Sequence, residues 1–393
     1  MLMSYSIPLL TLSAFLPVNL ATPILDARAI SQTDYDVLVI GGGPSGLSAL
    51  SGLARVRRKA LLLDSGVYRN DATRHMHDVI GNDGTVPAVF RARVREQIST
   101  YPTVSMMNAT VANITSMDNN SYFIATDSTG RSYSARKVVL GTGVLDVLSD
   151  TPGVKENFGE GMFWCPWCDG YEHRDQPLGV LGPMSAALNN VWEVATLNKD
   201  IVIFANGTYT NSTVDALNSK SPTWLAQLQD FGVGIDNRSI ASITRLRDGS
   251  ETYNTTTKTV DDLYMVAFED GTMVQRSAFI VNFPTMQHSS LGPQLGVEMD
   301  GGRMAVNISV GAQTSVPGAY AVGDANSDGS TNVPHAMWTG KRAAVSIHVK
   351  LAREEFAAMV AKRDESRSEE ELLSIVSRDV DAVWEEMIAV RRE

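Results

Sequence analysis

A run of glycines between an apolar strand and a helix constrains this chain more than any other feature. Tyr35-Asp36-Val37-Leu38-Val39-Ile40 is a β-rich segment that runs straight into Gly41-Gly42-Gly43-Pro44-Ser45-Gly46. Helical spacing of Leu47, Leu50 and Leu53 follows as far as Arg57, and Ala60 to Leu63 is a second apolar strand that ends at Asp64. Strand, glycine turn, helix and strand in that order predict a βαβ unit on a parallel sheet. Glycines at such a turn let the backbone approach a pyrophosphate, which rests on the helix N-terminus, and an acid ending the second strand takes a ribose hydroxyl. G-x-G-x-x-G alone is a weak signal; with both strands, the helix and the acid in register it specifies a dinucleotide site.

The rest of the chain repeats the theme. Arg136 to Leu140 is a strand that enters a second glycine turn, Gly141-Thr142-Gly143, and Thr151-Pro152-Gly153 then breaks the structure. Beyond it, a strand at Leu178 to Leu181, a helix at Ser185 to Leu197 and a strand at Asp200 to Phe204 predict another βαβ unit. A hairpin at Tyr264 to Val274 turns at Asp270-Gly271, and Phe279 to Pro284 closes the insertion. The chain returns through Gly318 to Asp324 and a helix spanning Pro334 to Leu351. The expected fold is α/β with two Rossmann-like dinucleotide-binding domains. One is discontinuous, residues 34–152 and 285–352; the other is inserted, residues 153–284. Residues 353–393 read as a helical extension, with Leu372, Leu373, Val376, Val380, Val383 and Met387 as a packing face and a candidate dimer contact.

The chain has only two cysteines, Cys165 and Cys168, in Trp164-Cys165-Pro166-Trp167-Cys168-Asp169-Gly170. A pair at this spacing can attack, form a disulfide or hand electrons to an adjacent acceptor. With the nucleotide site it points to a flavoprotein that moves electrons between a dithiol and a bound flavin. Two cysteines without clustered histidines do not supply four ligands, so no metal is expected. A net charge of −11 without a basic stripe argues against nucleic acid as a partner. The short cluster Arg55 to Lys59 reads as a solvated helix C-terminus.

Ile7 to Leu20 is uncharged and apolar and is followed by Ala21-Thr22-Pro23, the pattern of a secretory signal over residues 1–21. Pro8, Pro17 and the short run argue against stable membrane insertion. N-x-[ST] sequons begin at Asn108, Asn113, Asn119, Asn206, Asn211, Asn237, Asn254 and Asn307, eight where chance gives about three. A secreted or secretory-lumen glycoprotein is expected.

The order of these pieces resembles the low-molecular-weight thioredoxin reductase family. Within it, the chain is most similar to the fungal FAD-dependent dithiol oxidases that close disulfides in natural products of the gliotoxin and holomycin type. Tyr68-Arg69-Asn70, His75-Met76-His77 and the segment Gly323 to Ala336 extend the resemblance over residues 34–350. It implies FAD as cofactor, with Gly41, Gly43 and Gly46 at the pyrophosphate, Asp64 at the adenosine ribose, and Pro44, Ser45 and Ser65 as cofactor-binding neighbours. Arg69 and His77 would be further contacts, Thr142 and Gly143 would close on the cofactor, and Asp324 would bond the ribityl chain. Asn332 and Val333 would present a helix N-terminus to the flavin pyrimidine end, where it stabilises negative charge. Cys168 would be the thiolate against the flavin and Cys165 the exchange thiol, with Asp169 as acid/base. The bland alternative for Asp169 is a turn residue before Gly170. His335 is a candidate proton shuttle, because histidine titrates near neutrality, or a helix-start residue without a role. The resemblance also implies a homodimer.

One departure bears on the electron acceptor. Where a second fingerprint is expected, the chain reads Val180-Leu181-Gly182-Pro183-Met184-Ser185-Ala186-Ala187. Pro183 removes an N–H donor and Met184 would intrude on a pyrophosphate. No arginine follows Ile201 to Phe204 to grip a 2′-phosphate, and Asn206 begins a sequon there. The expectation is that NADPH binding is lost and that electrons leave to O2 as hydrogen peroxide. The alternatives are an NADPH-dependent disulfide reductase and a non-catalytic flavin-binding protein; the intact C-x-x-C-D argues against the second. The substrate is a small-molecule or peptide dithiol. Phe163, Trp164 and Trp167 suggest an aromatic or apolar one, unless they cover the flavin or pack the domain interface.

Overall fold

Alternation along the first strand sets the layers. In the computed structural model, which describes residues 33–366, Val37 and Val39 pack on one face of a sheet and Leu38 and Ile40 on the other. Five strands lie parallel in the order Val104–Asn108, Ala60–Asp64, Tyr35–Ile40, Ser132–Leu140 and Ala319–Ala321. A parallel sheet needs cover on both faces, which explains its near-continuous apolar strands. Helices Pro44–Arg55 and Val333–Ser366 bury Leu47, Leu50, Leu53, Ala343 and Ile347 on one face. An antiparallel meander, Val111–Met117 and Tyr122–Asp127 leading into Ser132–Leu140, brings Phe123 and Tyr133 to the other. The two helices approach through Gly340, where a Cβ would lie 2.1 Å from the Ser45 carbonyl oxygen.

The second unit has its own parallel sheet: Gly234–Asp236, Ile201–Phe204, Leu178–Leu181, Ala278–Val281 and Met162–Phe163. The hairpin turning at Asp270-Gly271 is present, Leu263–Phe268 with Met273–Arg276, and a third strand, Ile240–Arg247, extends it. Tyr264, Val266 and Phe268 pack from this layer onto Phe204 and Phe279. The chain crosses between units along a two-stranded ribbon, Val144–Asp146 with Thr285–Gln287.

Two boundaries shift. The helix expected at Ser185 to Leu197 runs Met184–Val194, because Leu197 N–H turns back to the Val194 carbonyl and Asn198 is tied to the His173 and Gln176 carbonyls. The helix expected to end at Leu351 continues unbroken to Ser366, so a division at 352/353 falls inside one helix. Its later turns belong to the first unit: Glu355 binds Arg58 and Arg136 at 2.5 and 2.6 Å, and Glu354 binds Lys137 at 2.8 Å. Residues 1–21 and the stripe Leu372 to Met387 lie outside the described residues. Among the described residues, no helix is long and apolar enough to cross a membrane.

Candidate active site

A cavity of about 380 Å³ opens at the carboxyl ends of the first sheet's strands, where open α/β sheets bind ligands. Gly41 turns the chain with φ +108°, and a Cβ on it would lie 2.2 Å from the Gly141 carbonyl oxygen. A Cβ on Gly46 would lie 1.9 Å from the Gly41 carbonyl oxygen, so the turn closes only with glycine at both places. Gly43 begins the helix Pro44–Arg55 with no side-chain cap, which leaves the first-turn N–H groups for an anion. Asp64 lies against Gly42 at the end of its strand; its carboxylate accepts the Gly66 N–H at 3.0 Å, the Tyr68 hydroxyl at 2.6 Å, and Arg95. This cradle fits the pyrophosphate and ribose of a dinucleotide.

The cavity wall collects Gly41, Gly43, Pro44, Ser45, Asp64, Ser65, Arg69, His77, Thr142, Gly143, Asp324, Asn332 and Val333. Gly46 stands one residue behind it. Arg69 is a brace: it forks onto Asp146 at 2.7 and 2.8 Å, reaches Asp324 at 2.9 Å, and lies over the Trp164 ring at 5.0 Å. Asn332 caps the long helix by accepting the His335 N–H at 2.8 Å. His335 itself is not brought to the cavity wall; its ring is 2.7 Å from Asp328.

Cys165 and Cys168 form a disulfide across the wide helical turn Pro166–Gly170. Cys168 lines the cavity and Cys165 does not, so the second cysteine is the one on the cofactor side. The three flanking aromatics divide. Phe163 is core, stacked on His173; Trp164 stacks on Phe158 in the cavity wall; Trp167 is 65% exposed. Asp169 follows Cys168 on the wall, and burial pushes its carboxyl up to about 7, against the opposing pull of His173 and His77.

Behind Asp169 lies an ionic network with no sequence motif. His173 places Nδ1 3.0 Å from the Asp169 carbonyl oxygen and Nε2 3.2 Å from Asp262. Asp262 is fully buried and also accepts both Arg74 nitrogens, at 2.8 and 3.0 Å, and the Gly249 N–H at 2.6 Å. Burial works to raise this carboxyl, but the His173 and Arg74 hydrogen bonds outweigh it and hold it at about 2. Arg74 comes from the first unit and Asp262 from the second, so the contact ties the units beside the redox turn. On the same wall, His77 places Nδ1 3.1 Å from Asp83 and Nε2 3.5 Å from Glu172.

Residues 35–340 match the pyridine nucleotide-disulphide oxidoreductase family. The chain belongs to that family. A probable thioredoxin reductase from Arthroderma benhamiae is 52% identical over 363 residues, 89% of this chain and 90% of that protein. Thioredoxin reductase tcpT of Claviceps purpurea is 32% identical over 78% of this chain and 90% of its own length. The crystal structure of HlmI matches with a TM-score of 0.72 at 29% identity, over 84% of this chain and 97% of HlmI. A putative thioredoxin reductase, TrxB, from Bacillus anthracis matches with a TM-score of 0.70 at 26% identity, over 82% of this chain and 99% of its own. This pyridine nucleotide-disulphide oxidoreductase is a thioredoxin reductase-like flavoprotein with FAD as cofactor, and it acts on sulfur groups.

The second nucleotide-type unit of this oxidoreductase departs from the first, and one expectation about it needs correction. The Met184 side chain does not intrude on a ligand site: it is fully buried in the unit's core. As the first helical residue, it turns back onto its own sheet. The obstruction lies in the backbone instead. Pro183 has no N–H, and the Met184 N–H is taken by Thr208 Oγ at 2.9 Å. Arg238, after the strand Gly234–Asp236, is committed to Asp236 and Asp270 and lies 3.9 Å over the Phe268 ring.

Proposed function

We propose that this flavoprotein is a thiol oxidase that converts a dithiol substrate to a disulfide and passes the electrons through FAD to O2, giving hydrogen peroxide. The observation that carries the reading is the closed backbone donor at Met184, with Pro183 before it and no arginine after Ile201–Phe204. A helix start that has spent its N–H on Thr208 is a poor seat for a second pyrophosphate.

A substrate thiolate attacks the Cys165 sulfur, the disulfide breaks, and Cys168 leaves as a thiolate on the cavity wall. The second substrate thiolate attacks its own sulfur in the mixed disulfide, the product disulfide forms, and Cys165 is released. Both electrons now reside on the cysteine pair, and the two substrate thiols have given up two protons. FAD in the cavity supplies the two-electron acceptor that O2 can re-oxidise. Asp169, beside Cys168 with a carboxyl that titrates at about 7, holds and passes the proton at its carboxyl oxygen. The net reaction is a dithiol plus O2 to a disulfide plus H2O2. Exposed Trp167 gives an aromatic or apolar dithiol a surface beside Cys165.

Anaerobic spectroscopy tests the reading. Dithiothreitol alone should bleach the flavin band near neutral pH, and air should restore it with release of peroxide. Bleaching by NADPH would favour the second reading, an NADPH-dependent disulfide reductase, which is the reading nearer to the thioredoxin reductases among its fungal relatives.

We also propose passage through a secretory compartment. All eight sequon asparagines are exposed, whereas Asn157, Asn190, Asn198 and Asn326, outside sequons, are buried. Treatment of protein from a eukaryotic secretory host with peptide N-glycosidase should lower its mass; unchanged mass argues against the proposal. A homodimer, proposed from the resemblance, is checked by sedimentation.

A further inference from the structure

Three of the eight sequons meet at one place in the fold. Asn206 follows the strand Ile201–Phe204, Asn211 opens the helix Asn211–Lys220, and Asn237 follows the strand Gly234–Asp236. The two strands are parallel neighbours in the second unit's sheet, and their carboxyl ends form the edge at which an α/β unit takes its ligand. The loops that follow them are laced together: the Ala205 N–H bonds the Asp236 carbonyl at 2.8 Å, and the Gly207 N–H bonds the Asn237 carbonyl at 3.1 Å.

The three side-chain amides are used differently. Asn206 and Gly207 have φ of +45° and +79°, and the Thr208 N–H closes back on the Ala205 carbonyl at 2.9 Å, so Asn206 stands on a tight turn with both central residues left-handed. Its Oδ1 accepts the Ile240 N–H at 2.8 Å, while its Nδ2 bonds nothing among the described residues. The Asn211 amide is exposed and bonds nothing among the described residues. Asn237 is committed on both atoms: Oδ1 accepts the Tyr209 N–H at 3.0 Å, and Nδ2 donates to the Tyr209 carbonyl at 3.2 Å. Pairing with the N–H and C=O of one residue uses the amide edge that carries the oxygen and the hydrogen beside it. A sugar linked through a trans amide replaces that same hydrogen. Of the eight sequon asparagines, Asn237 alone donates its nitrogen to another group among the described residues. The sequon hydroxyl at Thr208 is also the group that accepts the Met184 N–H, at 2.9 Å, and it donates to the Ala205 carbonyl at 2.5 Å. One threonine thus closes the helix start and completes the sequon.

We propose that Asn206 and Asn211 carry N-linked oligosaccharides and that Asn237 stays unmodified, so that sugar covers the edge where a second dinucleotide would bind. The inference rests on the secretory passage proposed above. A host oligosaccharyltransferase brings the co-substrate, an oligosaccharide on a polyprenyl pyrophosphate. A bond forms between the asparagine Nδ2 and the sugar C1, the bond from C1 to the phosphate oxygen breaks, the pyrophosphate leaves, and Nδ2 loses one proton. The end of the second strand is where a nucleotide-binding unit holds its ribose, and in this unit the Asn206 turn follows that strand. On Asn237 a sugar would undo both bonds to Tyr209, in the loop that carries Asn206 and Asn211.

The test uses the full chain with FAD, secreted from a eukaryotic host. Peptide N-glycosidase in heavy-oxygen water converts each occupied asparagine to labelled aspartate, and peptide mass spectrometry reads the eight positions separately. Label at Asn206 and Asn211 and none at Asn237 is expected. Label elsewhere with Asn206 or Asn211 empty, or label at Asn237, overturns the inference and leaves the secretory reading in place. No label at any position sinks the secretory reading and the inference with it. Two variants check the amide geometry. Asn211→Gln should lose one glycan's mass and melt as the wild type does. Asn237→Gln should lose no glycan and melt about 2–4 °C lower, since two hydrogen bonds go. Loss of glycan mass in Asn237→Gln, or an unchanged melting point, removes the pairing argument and overturns the assignment.

Discussion

Replacing Arg74 with Met tests the buried contact that ties the two units. Asp262 is fully buried, and its carboxyl is held at about 2 against an ordinary 3.8. That difference is worth roughly 2–3 kcal/mol of stability at neutral pH. Because the folded value is depressed, the contribution is complete above pH ~4 and is lost as pH falls toward ~2. His173 and the Gly249 N–H supply part of that contribution, so removing Arg74 forfeits only its own share, but it does more. A buried carboxylate remains with His173 and one N–H as partners, and breaking such a pair costs about 3–5 kcal/mol. With a urea dependence of about 1–3 kcal/mol per molar, the midpoint should drop by at least ~1 M. Tryptophan fluorescence at pH 7 reads it, since Trp224 is buried in the second unit. Adding Asp262→Asn to the Arg74→Met protein removes the stranded charge and should recover more than half of the loss, a coupling that a double-mutant cycle isolates. A loss below ~1 kcal/mol, or strictly additive variants, would refute the argument that this pair is desolvated and mutually dependent.

Three further outcomes are expected. Cys165→Ser and Cys168→Ser should each abolish dithiol-driven flavin bleaching, and activity retained in both would remove the disulfide from the pathway. Asp169→Asn should gain on the wild type as pH rises. The raised carboxyl stabilises the fold fully below its unfolded value and loses that contribution up to about 7, so the stability gap should widen by about 2–3 kcal/mol between pH 5 and pH 8, and parallel curves would contradict the buried setting. Gly46→Ala and Gly43→Ala should differ in kind, because a Cβ on Gly46 meets the Gly41 carbonyl while one on Gly43 meets no protein atom. The first should lower thermal stability of the apoprotein, whereas the second should keep it and lose 450 nm absorbance on purification; equal effects on both measures would count against the cradle.

What sequence patterns carried was local. The turn Gly41 to Gly46, the acid at Asp64 and the pair Cys165 and Cys168 each state their chemistry within a few residues, because glycine conformation and sulfur spacing are short-range constraints. The strand Tyr35–Ile40 was legible because its continuous apolar run suits a sheet covered on both faces. The strand Ile240–Arg247 was not, since five of its eight residues are polar or charged or alanine and its partner lies beyond a long loop. Arg74, Arg95 and Asp262 had no signal either, and Arg69, named through the resemblance as a cofactor contact, gave no sign of its brace onto Asp146 and Asp324. Ion pairs join positions hundreds of residues apart, 255 for Arg69 with Asp324 and 297 for Arg58 with Glu355, and leave no period in the chain. Met184 shows the other limit: its place in the fingerprint was readable, but the direction of its side chain depends on how the helix seats on its sheet.

The unbroken helix Val333–Ser366 has a consequence for how this chain can be shortened or fused. Its first turn forms part of the cavity wall, while Glu354 and Glu355 neutralise Arg136 and Lys137, cations 5% and 3% exposed in the first sheet. A stop codon placed where the recognisable motifs end would therefore cut through a strut rather than trim a tail, leaving Lys137 inside the sheet without Glu354 and Arg136 with Asp36 alone. The minimal folding unit extends past the last residue that any motif identifies.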